Sequence, residues 1–228
     1  MKAFQLFCPE APKSNGSDIF LKHLFGKDLT PVEGWFKKSE IPGITRVKDN
    51  WRTRQLVNLI PDSVFCCAAG HLKIWKLIAE TCPDGAFVFE DDALPTMPGW
   101  RVGLELDRAR KVGGLVYLTV PEPERHKRAK EPVRWTRIMR VPYWGAYAYF
   151  LDQRMAQHLV KARADTIDVN ADTFLPAEAL TSNRPIYRPS APIFVPSLDD
   201  SLLKRDRETA VRNPNWVGLP RPQAPSST

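Results

Sequence analysis

Residues 85–95 read Gly85-Ala86-Phe87-Val88-Phe89-Glu90-Asp91-Asp92-Ala93-Leu94-Pro95. An apolar run, Ala86 to Phe89, passes without a break into the acids Glu90, Asp91 and Asp92. A short apolar run that ends abruptly in polar residues predicts a buried strand of a mostly parallel sheet. Acids just past such a strand fall at the carboxyl edge of the sheet, where open α/β folds place their ligands. Adjacent carboxylates repel one another, so the pattern calls for a positive charge. A divalent cation taking oxygen ligands is the simplest candidate. The competing reading is a solvated acidic turn with no task.

The flanking sequence supports an α/β chain. Ser63 to Glu80 carries an apolar face at Leu72, Trp75, Ile78 and Ala79, which predicts a helix packed on the sheet. Small residues from Ala68 to Gly70 allow close backbone approach near its start. His71 on that helix is either satisfied inside the core or a polar group touching ligand. Trp100 to Val112 predicts an amphipathic helix stopped by Gly113-Gly114, and Leu115 to Val120 a strand closed by Pro121. Tyr143 to Leu151 is an aromatic strand in which Gly145 marks a close approach. Asp152 is expected to cap a helix through Ala156, Leu159 and Val160. Upstream, Ala3 to Cys8 predicts a first strand and Ile19 to Phe25 a helix. Lys27 to Asn50 is broken by Pro31, Gly34, Pro42 and Gly43, with one short strand expected near Ile44 to Val47. Asp168 and Asp172 stand four apart, on one face if that piece is helical. Ile186 to Val195 reads as extended. Residues 1–213 are expected to form one domain, and 214–228, rich in Pro and Ser, a disordered tail.

The chain has 228 residues, enough for one good-sized core. Its net charge of +7 and pI near 9.3 favour a negatively charged partner: nucleic acid, an anionic membrane surface or a phosphorylated glycan. The basic run from Arg125 to Arg140 includes Arg128, Arg134 and Trp135, which suits phosphate contacts, although a solvated loop is the default for such a run. Arg52 and Arg54, beside Trp51, could hold a diphosphate. The four cysteines, Cys8, Cys66, Cys67 and Cys82, show no CxxC spacing, so a structural zinc site is not expected. They read as buried thiols of a cytoplasmic protein. The opening residues are too short for a signal peptide, and no apolar run is long enough to span a membrane.

Several blocks, in order, resemble glycosyltransferase family 25, the lipooligosaccharide-type sugar transferases. They are Cys67-Ala68-Ala69-Gly70-His71 with Trp75, then Phe87 to Asp92, then Gly145 to Tyr149 with Ala156 and Leu159, and finally Asp168. The chain departs from the pattern at Cys66, where a glycine is usual, and at Gly70, where a serine is usual. The family's opening signature is not evident around Ala3 to Cys8. The resemblance implies a single-domain α/β fold of the GT-A, Rossmann-like type, with a mixed, mostly parallel sheet flanked by helices. It also implies a nucleotide-sugar donor and a Mn2+ or Mg2+ ion held by Asp92 with Glu90 and Asp91. Cys67, His71, Arg52 and Arg54 would lie near the donor. The displacement would be inverting, with Asp168, then Asp172, as the base for the acceptor hydroxyl. Arg128, Arg134, Trp135 and Tyr147 would meet an anionic acceptor. That acceptor is either a surface-polysaccharide glycan reached at a membrane periphery, or DNA carrying a hydroxylated base, as in phage-type base modification.

Other classes compete. A metal-dependent nuclease also places acids beside a basic surface. A non-catalytic binder of glycan or nucleic acid would share the charge but not the turnover. A glycosidase needs two separated carboxylates rather than an adjacent trio.

Overall fold

A computed structural model describes residues 1–9, 15–35, 41, 45–46, 62–121, 132–139, 145–167 and 170–197. Its centre is a seven-stranded sheet. The strands are β1 (Ala3–Phe7), β2 (Leu29–Glu33), β4 (Ala86–Glu90), β6 (Leu115–Tyr117), β7 (Trp135–Arg137), β8 (Ala148–Leu151) and β10 (Ile186–Pro189). Their order across the sheet is β2-β1-β4-β8-β6-β10-β7. Two small pairs lie beside it: β5 (Ala93–Pro95) with β11 (Phe194–Pro196), and β3 (Thr45–Arg46) with β9 (Thr166–Ile167). The chain is thus a mixed α/β protein.

The sheet is less parallel than its apolar strands predict. β1 runs parallel to β2 and β4, and β6 parallel to β10. β8, however, is antiparallel to both β4 and β6, and β7 is antiparallel to β10. The aromatic strand therefore enters the middle of the sheet reversed. β2 also corrects the reading of residues 27–50: Leu29–Glu33 is a strand despite Pro31. Proline is tolerated there because β2 is the last strand on its side.

The helices are α1 (Asn15–Phe25), α2 (Asp62–Thr81), α3 (Gly99–Val112), α4 (Gln153–Arg163) and α5 (Ala171–Thr181). Buried residues of α2, α4 and α5 pack on one face of the sheet, and those of α1 and α3 on the other. The predicted apolar face of α2 is in the core: Leu72, Trp75 and Ile78 are fully buried. Close approach also holds, since a Cβ on Gly70 would meet Leu6 Cδ1 at 2.5 Å. Asp152 caps α4 as expected, its Oδ1 accepting from Met155 N at 2.7 Å. The other carboxylate oxygen, Oδ2, accepts from Gly114 N at 2.8 Å and from Arg184 at 2.7 Å.

Strand alternation then decides which way each residue of β4 points. Ala86 and Val88 join the α2 side, and Phe87 and Phe89 join the α1–α3 side. Glu90, next in the alternation, therefore faces α2. In β8 the same rule puts Tyr149 on that side, opposite Val88.

Candidate functional site

One edge of the sheet collects the chain ends that matter. The carboxyl ends of β1 and β4 and the amino end of β8 lie side by side there, as the strand directions require. Glu90 N donates to Tyr147 O at 2.8 Å, which ties the end of β4 to the start of β8. Next along, Thr119 Oγ1 donates to Gly145 O at 3.2 Å. Gly145 has φ +144, and a Cβ there would lie 2.6 Å from Thr119 Oγ1, so glycine is required at this close approach.

Glu90 is held from the α2 side. His71 Nε2 lies 3.0 Å from Glu90 Oε1, and His71 Nδ1 lies 2.9 Å from Tyr149 Oη. Trp75 Nε1 donates to the same Tyr149 oxygen at 2.7 Å. An indole is only a donor, so the phenol must accept there. Burial drives the Tyr149 pKa well up, which keeps its proton in place, and His71 Nδ1 is the acceptor at hand. The histidine proton then sits on Nε2 and donates to Glu90. Cys67, one helical turn before His71, reaches the same carboxylate, Sγ to Oε1 at 3.9 Å. His71 is thus satisfied inside the core, the first of its two readings, and its bond to Glu90 sets it beside the acid trio.

Asp91 and Asp92 complete the trio. Burial, then the Glu90 charge, pushes the Asp91 carboxyl from 3.8 to about 6, against the opposing amide of Cys8, whose N lies 3.5 Å from Oδ2. Asp92 is driven well above the ordinary carboxylate range by burial first, then by Glu90 and Asp91. Its Oδ1 is buried with no hydrogen-bond partner among the described residues. A buried oxygen of this kind carries a desolvation cost unless a cation or a proton meets it. Burial also raises the Cys67 thiol well above its usual value, followed by the charges of Glu90, Asp172, Asp92 and Asp91. The electrostatics therefore join residues from α2, the end of β4 and α5 in one site.

Asp172 has a second task. Its Oδ1 accepts from Gly145 N at 3.1 Å and Ala146 N at 2.7 Å, which fixes the start of β8. As a base it would act through its other oxygen. Asp172 lies in the first turn of α5, which begins at Ala171 and is capped by Asn170 Oδ1, accepting from Thr173 N at 2.9 Å. Asp168 itself lies outside the described residues, as do Arg52, Arg54 and Arg128.

The acceptor candidates divide. Tyr147 is buried within the α1–α3 core, and Trp135 is half-buried against the same core. Neither ring is an open stacking platform, because β7 and β8 place these aromatics to close the core. Arg134 is exposed at the start of β7. It stands on the same sheet edge as Glu90, four strands away, or roughly 19 Å at about 4.8 Å per strand.

Sequence reasoning missed Tyr149 and Thr119. Parity does not flag the first, since Tyr149 faces the α2 side while Tyr147, two residues earlier, joins the α1–α3 core. Thr119 carries no local signal. None of the four cysteines is in a disulfide, with Cys66 and Cys82 buried and Cys8 and Cys67 partly exposed. No described helix is long and apolar enough to cross a membrane. No protein-family model matches this chain, and no curated protein matches it.

Proposed function

We propose that this chain is a metal-dependent glycosyltransferase with a GT-A-like arrangement, moving a sugar from a nucleotide-sugar donor to a hydroxyl of an anionic acceptor. The observation that carries the reading is the buried oxygen of Asp92, without a hydrogen-bond partner among the described residues, beside Asp91 and Glu90 at a carboxyl sheet edge. Hard carboxylate oxygens in this number suit Mn2+ or Mg2+. Asp92, with Asp91 and Glu90, would hold the ion. Once bound, it would neutralise the pyrophosphate of the leaving nucleotide.

The chain's own groups prepare that site. His71 orients Glu90, and Tyr149 and Trp75 orient His71. Asp172 fixes Gly145 and Ala146 beside it. The base that takes the acceptor proton is assigned to Asp168, with Asp172 second. Exposed Arg134, just before the edge strand β7, and Arg137 at its end suit an anionic acceptor, either a glycan or DNA.

A thermal-shift panel of nucleotide sugars with and without manganese tests the proposal. The correct donor raises the melting point only with manganese, by the equivalent of about 2.7 kcal/mol at a hundredfold excess over Kd. Failure of every nucleotide sugar, with magnesium-dependent cutting of DNA instead, would replace transfer by nuclease chemistry. Duplex binding that weakens steeply with salt selects the DNA acceptor, and retention on lipooligosaccharide without it selects the glycan.

A further inference from the structure

We propose that Cys67, His71 and Glu90 form a binding site for a soft or borderline divalent metal, zinc or cobalt, beside the hard oxygen site of Asp91 and Asp92. Their ligand atoms all lie within 4.8 Å of one another. In a tetrahedral site, with bonds of about 2.3 Å to sulfur and about 2.0–2.2 Å to nitrogen and oxygen, ligand atoms stand roughly 3.3–3.6 Å apart. Here His71 Nε2 to Glu90 Oε1 is 3.0 Å, and Cys67 Sγ to Glu90 Oε1 is 3.9 Å. Small side-chain rotations close the set.

The sequence spacing argues against a closed zinc site, and the fold supplies what spacing alone does not. Cys67 and His71 are one turn apart on α2, which puts both on one helix face. Glu90 arrives from β4 because its place in the alternation turns it toward α2. Three protein ligands leave a fourth position open, unlike a closed structural site. Thiol and imidazole select zinc or cobalt over magnesium and manganese, which the neighbouring carboxylates prefer.

Support behind the ligands is present as well. Tyr149 Oη has two lone pairs, so it can accept from Trp75 and from His71 Nδ1 together. Binding shifts the His71 proton from Nε2 to Nδ1 and releases the Cys67 thiol proton to solvent. Tyr149 then plays the outer-shell part common to metal-bound histidines. The nearby charges of Asp91, Asp92 and Asp172 favour a cation here. Metal binding at this corner does not depend on sugar transfer, although an ion held here draws on Glu90.

Cobalt(II) titration of the metal-free full chain under a non-thiol reductant provides the test. The expected result is a thiolate-to-cobalt charge-transfer absorption that saturates at one equivalent, is displaced by zinc and persists in excess magnesium. Cys67→Ser removes that band, whereas Cys8→Ser retains it. Tyr149→Phe weakens cobalt binding by about 10-fold or more. No charge-transfer band at stoichiometric cobalt, its survival in Cys67→Ser, or its loss to magnesium overturns the site. His71 is fully buried, so His71→Ala endangers the fold. Glu90→Gln, at a side chain only 19% exposed but lying at the rim, serves as the second variant, with an expected loss of about tenfold or more in cobalt affinity.

Discussion

The His71 imidazole stands between two oxygens, Glu90 Oε1 at 3.0 Å and Tyr149 Oη at 2.9 Å. Because Trp75 also donates to that phenol, the donor count runs in one direction, from the indole through the phenol and the imidazole to the acid. A residue in the middle of the core thereby orients an acid at the rim.

Tyr149→Phe keeps the ring and removes that relay's middle oxygen. Two buried groups, Trp75 Nε1 and His71 Nδ1, lose their partner. Each unsatisfied group costs about 1–3 kcal/mol. Urea unfolding should show a loss of that size; Trp75→Phe, by contrast, leaves the phenol bonded to His71 but removes its indole donor and opens a void. A change under about 0.5 kcal/mol in Tyr149→Phe would contradict the wiring.

Metal-free protein should lose stability as pH rises toward neutral. Asp91 is raised from 3.8 to about 6 by burial and then by Glu90, and Asp92 moves in the same direction. A carboxyl whose folded pKa exceeds its unfolded value favours the fold below the unfolded pKa, and this contribution fades as pH climbs through the folded one. Asp91 alone accounts for a loss on the order of 2 kcal/mol between about pH 4 and pH 7. Urea midpoints in a chelator should follow that slope, and Asp91→Asn should flatten it. Manganese should restore more stability above pH 6 than below it. An equal slope in Asp91→Asn would assign the titration to other groups.

Asp92→Asn should separate folding from ligand binding. The buried Oδ1, without a partner among the described residues, gains nothing from a negative charge in the absence of a cation. The variant should be as stable as the parent or more so, by up to about 2 kcal/mol, and should lose the manganese-dependent stabilisation by nucleotide sugar. Retained stabilisation would remove Asp92 from the cation site.

Gly145→Ala should damage both fold and site. Its φ of +144 disfavours a side chain, and the new Cβ would press on Thr119 Oγ1. A cost of about 1–3 kcal/mol is expected. Asp172→Ala leaves the amides of Gly145 and Ala146 without their acceptor and should cost a similar amount. Calorimetry of the two single variants and the double should show non-additivity, since they share one contact.

Asp152→Ala removes the cap of α4, the acceptor for Gly114 N and the partner of Arg184 at once. The cap alone contributes about 1 kcal/mol, and a total near 2–4 kcal/mol is expected once the amide is unsatisfied. Arg184→Ala should cost far less, because the carboxylate keeps both amides.

What the sequence made legible was local. The apolar run 86–89 marked β4, the spacing of Leu72, Trp75 and Ile78 marked α2, and Asp152 marked the start of α4. Each of these signals lies within a few residues of the element it predicts. Strand direction has no such signal. The same aromatic run around Tyr149 would suit a parallel or a reversed strand, and only its neighbours β4 and β6 decide. The site divides the same way. The acid trio could be read directly, but its partners His71 and Tyr149 sit 19 residues before Glu90 and 59 after it, joined only by the fold. Pro31 hid β2 because a proline usually argues against a strand, and its edge position could not be seen from the sequence. Trp135 and Tyr147 looked like ligand-facing aromatics for the converse reason: exposure is a property of the assembled sheet.

The alternation along β4 limits how this rim can change. Removing one residue between Ala86 and Phe89 would turn Glu90 toward Phe25 and Phe194, force the Phe89 ring into the place of Val88 on the α2 side, and leave the shorter Asp91 opposite His71. Insertions or deletions there are tolerable only in pairs. Length variants of this strand should therefore be either nearly silent or ruinous, with little between.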